Sequence, residues 1–236
     1  MKKSNKLMRA SGILLSLTLI SSCFVGGTFA KYVTTGEGKD SARVAKWGVE
    51  VEVTGDGFHP TYGKDDPNSN IKGSTVISLD DSNVVAPGTE GTFGGVTISG
   101  QPEVAVEIKT TADVNLSGWN VGPNGEFYCP LKFTIGGQTI NGLDYSKSTS
   151  GGENSFQAAI KKAIEDATTQ EVEAGTDLSK IGETITYSWE WPFENGTGTA
   201  INQDNILDTK LGDNAASGTD VPQISIDVST TVTQIN

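Results

Sequence analysis

"PQISIDVSTTVTQI" (residues 222–235) alternates Ile224, Ile226 and Val228 with polar neighbours. A side-chain period of two places every second residue on one face, as a strand with one face on a core and one in water requires. The same period recurs in "VAKWGVEVEV" (44–53), where Val49, Val51 and Val53 alternate with Glu50 and Glu52. Working outward, strand-like runs appear at "STVISL" (74–79), "GTFGGVTI" (91–98), "EVAVEIKTTADV" (103–114), "FYCPLKFTI" (127–135), "QTI" (138–140) and "TITYSWEWPF" (184–193). Between them lie clusters such as "APGTEGT", "SGQP", "VGPNGE", "STSGGEN" and "ENGTGTAINQDN". Much of the chain's glycine and proline sits in these clusters, which is how short strands are punctuated. Regularly spaced strands with such turns predict an all-β fold, a jelly roll or β-sandwich.

One segment has a different period. In "NSFQAAIKKAIEDATTQEVEAG" (154–175), Phe156, Ile160, Ala163, Ile164 and Ala167 form a single stripe at helical spacing. Asn154 can cap its start and Gly175 lies beyond its end. The expectation is one inserted amphipathic helix over about 154–174, lying as a surface helix over one end of the sandwich.

The N-terminus reads as an export signal. Lys2, Lys3, Lys6 and Arg9 precede the apolar run "GILLSLTLI" (12–20), and Thr28 and Ala30 supply small residues at the −3 and −1 positions of a cleavage site before Lys31. The run is shorter than the roughly 18–20 residues of a stable membrane span, so no stable membrane insertion is expected after cleavage. "ISSC" (20–23) offers a competing lipobox with Cys23 as the lipidated residue. The expected organisation is a signal at 1–30, an N-terminal segment at 31–43 and a β domain over 44–236.

The 236 residues carry 17 Lys and Arg against 29 Asp and Glu. Removing the four basic residues of 1–30 leaves 13 against 29, a formal balance of −16 (13 − 29). So acidic a surface repels nucleic acid and anionic lipid and suits an extracellular protein. Cleavage after Ala30 leaves Cys129 as the single cysteine, so no intramolecular disulfide is expected. Its alternation with Phe127 and Leu131 reads as an inward-facing apolar position.

Catalytic equipment is sparse. His59, in "GDGFHPTYG", is the only histidine, and neither a helix-borne zinc pattern nor a phosphate-binding loop occurs. Asp65 with Asp66 and Asp80 with Asp81 are adjacent acids without the spacing of a calcium loop. Glu190 and Glu194 flank the tryptophans. No catalytic residue, metal or cofactor is assigned, and the chain is expected not to be an enzyme. Trp189 and Trp191 share one face of their strand with Tyr187; they are either packed in the core or exposed to stack on sugar rings.

"GGTFAKYVTTGEGKDSARVAKWGVEVEV" (26–53) resembles the start of the TasA/camelysin family of secreted Gram-positive matrix proteins. The matching residues are Gly26, Gly27, Thr28, Phe29, Ala30 and Tyr32, then Ser41 and Ala42 leading into the strand at Val44. A weaker likeness lies in "VVAPGTEGTFGGVTISGQPEVAVEIKT" (84–110), where Pro87 and Gly88 hold the family's turn and Thr89 replaces a commonly acidic residue. The ending "ISIDVSTTVTQIN" (224–236) also resembles that of such proteins. The resemblance implies a jelly roll, processing by a SipW-type signal peptidase and location in the extracellular matrix or at the cell surface.

It further implies self-assembly into biofilm fibres, alongside other matrix components, with the freed N-terminus donated as a strand to the next subunit. Lys31, Tyr32, Val33, Thr34 and Thr35 form the expected donor segment. Family members classed as metallopeptidases have no counterpart here in metal-ligand spacing. The alternative expectation is a monomeric cell-surface adhesin or carbohydrate-binding β-sandwich, with Trp189 and Trp191 as its platforms.

Overall fold

The computed structural model describes residues 43–53, 57–63, 75–92, 95–146, 151–182 and 187–236. One compact unit spans Ala45–Asn236, and the unit before it, Met1–Val44, contributes only Arg43 and Val44 to the described residues. The signal, its cleavage site and the donor segment of the sequence reading lie outside the described residues.

The spine is a long antiparallel ladder. β6 (Val106–Ser117) pairs with β11 (Gln223–Gln234) along twelve consecutive residues, from Ser117 opposite Gln223 to Val106 opposite Gln234. Every second residue of β6 is buried, so the period of two seen in the sequence is the period of burial. β9 (Gln170–Val172) adds to the other side of β6, opposite Val106, Glu107 and Ile108. A second sheet runs in the order β4 (Glu90–Thr92), β10 (Tyr187–Glu190), β7 (Lys132–Ile135), β8 (Gln138–Asn141). Two smaller sheets pair β1 (Val49–Val53) with β5 (Val96–Gly100), and β2 (Thr61–Tyr62) with β3 (Val76–Ile77).

The predicted helix is present as α1 (Gly152–Thr168), but it starts and stops differently. Gly151, in the left-handed region, occupies the N-cap position in place of Asn154. The backbone leaves the helix at Thr169, so that 170–172 pairs as β9 instead of continuing the helix. As a surface helix should, α1 keeps Lys161 and Lys162 exposed, while its other face is buried. It packs against β6 on one side and β7 and β8 on the other, with Phe156 ringed by Phe127, Phe133 and Tyr145 at centroid distances of 6.1, 5.9 and 5.4 Å. The helix therefore supplies core between the two larger sheets.

Two more helices follow, the short α2 (Ser179–Gly182) and the long α3 (Thr199–Ser217). Among the described residues the fold is thus β-rich with three helices, and the expectation of a single helix is corrected. The segment 127–131 is also not a strand: Phe127, Tyr128, Cys129, Pro130 and Leu131 are all buried in irregular backbone. Cys129 faces inward as expected, but so do both of its neighbours.

Candidate self-assembly surface

β11 is an edge strand. Its only ladder partner among the described residues is β6, and β1 approaches it without joining the ladder. None of its twelve residues is fully buried; Ile224, Ile226, Val228 and Val232 are half-buried against the core, and the alternating Ser225, Asp227, Ser229, Thr231 and Thr233 are exposed. An edge of this kind leaves backbone N–H and C=O groups facing outward along about 40 Å, at ~3.3 Å per residue.

Proteins usually blunt such edges with lysine, proline, a bulge or brevity. β11 uses none of these devices: its register runs without a break, and Asp227 is its single charged residue. The other described sheet margins are shorter, with five residues each in β1 and β5, four in β8, three each in β4 and β9 and two each in β2 and β3. β6, by contrast, has its second side covered. Beyond β9, the Ala112 amide donates to Glu165 of α1 at 3.4 Å, and Gln157 of α1 donates to the Leu116 carbonyl at 3.1 Å. Among the described residues the same ladder therefore has one margin covered by a helix and one that no further strand joins.

β1, the strand that follows the N-terminal segment, adds apolar exposure. Val51 and Val53 are both exposed there, and Trp47 just before them is too.

The tryptophans do not form a sugar platform. Trp189 is 2% exposed and Trp191 4%. The Trp189 indole donates to the Gly57 carbonyl at 2.7 Å and packs on Phe58 and Tyr62, and Trp191 packs on Trp119. The shared face that the sequence identified is the packed face, because burying rings of that size stabilises a sheet more than a wet ring would.

The scattered candidates for chemistry are structural where they are described. His59 sits in a loop closed by backbone bonds to Val84 and to the Tyr62 hydroxyl, its ring edge-on to that of Tyr62. Asp80 accepts hydrogen bonds from the Ser78 hydroxyl and from both the amide and the hydroxyl of Ser82, which hold its carboxyl down at about 2. These bonds shape a turn in which Asp81 takes a left-handed conformation. Asp65 and Asp66 lie outside the described residues. Glu190 pairs with Lys132 on the neighbouring strand at 3.3 Å. Cys129 is fully buried, and that burial pushes its thiol far up, away from nucleophilic character. Among the described residues no group of three or more potential ligands is placed to hold a metal, and no helix is long and apolar enough to cross a membrane.

One constellation escaped the sequence reading. Tyr128 Oη lies 2.5 Å from Asp204 Oδ1 and 2.8 Å from Asp208 Oδ1, bringing two carboxyl groups of α3 onto one phenol. The i, i+4 spacing of the two acids was readable, but nothing in the sequence pointed to a tyrosine 76 residues away.

Comparison of the chain with protein-family models, curated proteins and solved structures finds no match.

Proposed function

We propose that this protein is a secreted structural subunit that assembles head-to-tail into extracellular matrix fibres, each subunit donating its N-terminal segment to a sheet edge of the next. The observation that carries the reading is the unbroken, nearly uncharged twelve-residue edge of β11, which among the described residues pairs with β6 alone. Residues 31–42 are also twelve in number, so when extended they match β11 in length, about 40 Å at ~3.3 Å per residue.

Main-chain hydrogen bonds along the edge would supply affinity that depends little on side chains, and Tyr32 and Val33 would anchor the register. Donor and acceptor are different surfaces of one chain. The contact is therefore heterologous, and where its rotation does not close it grows a filament. The jelly-roll topology, a SipW-type peptidase cutting after Ala30 and a place beside other matrix components belong to the same proposal. Its support is the sequence likeness at 26–53 together with the open edge. An enzymatic role is no part of it.

Hydrogen exchange on assembled material tests the acceptor. The alternate amides of 223–234 that point away from β6 are expected to exchange quickly in dispersed subunits and to become protected on assembly. Assembled material in which 223–234 still exchanges as fast as in the monomer would rule out β11 as the acceptor.

A further inference from the structure

α3 is an unusual helix for its length. Its inward face consists of Asp204, Leu207 and Leu211, so a carboxylate takes a place in the stripe that seats it. Among the described residues no strand packs broadly along it. It is held instead by loop and turn residues: Asn195 and Trp191 after β10, the Val121 carbonyl, which accepts from Lys210 Nζ at 3.0 Å, and Tyr128. Its attachment therefore combines two buried leucines with a few polar contacts.

The proton count in those contacts is short by one. Tyr128 has a single hydroxyl hydrogen, yet its oxygen lies within hydrogen-bond distance of two carboxylate oxygens. If both acids are ionised, one of them faces the lone pairs of the phenol with no proton between. A second proton, on one carboxyl, satisfies all three oxygens: the tyrosine donates to one acid and accepts from the other. Of the two acids Asp204 has the additional hydrogen-bond donor, since its Oδ2 accepts from the Asn195 amide at 3.0 Å. The Trp191 indole nitrogen lies near the Asp208 carboxyl without reaching hydrogen-bond geometry. The extra proton therefore belongs on Asp208.

We propose that Tyr128, Asp204 and Asp208 form a proton-operated clasp, closing α3 onto the domain in mildly acidic surroundings and loosening it at neutral pH. The other ionisable groups nearby do not supply the proton. Lys210 is engaged with Val121. The Cys129 thiol and the Tyr128 hydroxyl are both pushed far up, chiefly by burial, so neither loses its proton near neutrality. Glu153 of α1, which acts on Cys129, is itself raised by burial and bonded to Asn120.

Burial, the largest influence, pushes the Asp208 carboxyl up to about 6 from 3.8; the Tyr128 hydrogen bond partly offsets this and the Asp204 charge adds to it. A raised folded value means that protons favour the closed form. The contribution is complete below the unfolded value and is lost as pH rises through the folded one. Between pH 5 and 7.5 those two values change the closing equilibrium about tenfold.

The test is hydrogen exchange across 199–217 in the full chain at pH 5 and 7.5, corrected for intrinsic exchange rates. Protection at least fivefold greater at pH 5 is expected, with the dependence abolished in Asp208→Asn, whose amide can donate to the phenol at any pH. A wild-type ratio below fivefold overturns the clasp, as does a full ratio persisting in Asp208→Asn. Should that variant fold poorly, the carboxyl carbon of Asp208 followed by NMR in the wild-type chain decides the matter. A midpoint near 6 is expected, and a midpoint near 4 overturns the proposal.

Discussion

A Cβ on Gly91 would lie 2.6 Å from the Gly57 carbonyl oxygen and 2.9 Å from the Trp189 indole nitrogen, the two atoms whose hydrogen bond seats Trp189. Neither can retreat freely, since one is backbone and the other a buried ring. Gly91→Ala should therefore cost about 2 kcal/mol, from overpacking and a broken buried hydrogen bond. A urea unfolding midpoint equal to the parent's would contradict this. Cys129 makes a sharper claim about reactivity. Fully buried and held as a thiol, it should stay unlabelled by a water-soluble thiol reagent in the native domain and label fully in denaturant. Labelling at equal rates in both conditions would mean that the segment around it opens readily. Among single residues the sequence conveyed parity well and partnership poorly: that Trp189 and Trp191 share a face was legible, but neither the burial of that face nor the bond of Trp189 to Gly57, 132 residues away, was.

At the scale of elements, legibility followed the regularity of burial. β6 and β11 were visible because one face is buried or half-buried and the other wet along their whole length. α1 was visible because its buried Phe156, Ile160, Ala163 and Ile164 repeat at helical spacing. Its end was misjudged because no glycine or proline interrupts 168–174, and pairing with β6 stops the helix there. The segment 127–131 imitates a strand because Phe127, Cys129 and Leu131 are apolar, and a residue buried on every side leaves no period to read. α3 was hidden for the opposite reason. "TAINQDNILDTKLGDNAAS" reads as a polar, turn-forming stretch, because an aspartate fills a core position and Ile206 faces water. Its docking still rests on Leu211, which is 2% exposed. Leu211→Ala should cost about 2–3 kcal/mol and speed exchange across 199–217 ahead of β6. Uniform acceleration over the whole domain would show that α3 is not a separate unit. On β11, Val228→Lys places a charge on the half-buried face of the open edge, a device that natural edges use against pairing. It should slow fibre growth severalfold in a light-scattering assay, and unchanged growth would argue that assembly avoids this strand.

For the whole molecule, charge and geometry act together. A formal charge of −12 over the full chain keeps copies apart at a distance, so association has to come from contacts that are short-ranged and directional. A sheet edge with one charged residue in twelve meets that need. The N-terminal stretch was read from the sequence alone as signal, donor and first strand in succession. Of these the strand, β1, falls among the described residues. The measurement that bears most directly on the account is electron microscopy of two purified proteins at equal concentration, one starting at Lys31 and one at Arg43. Strand donation predicts fibres from the first and dispersed subunits from the second. Fibres of equal abundance from both, or dispersed subunits from both at high concentration, would contradict it.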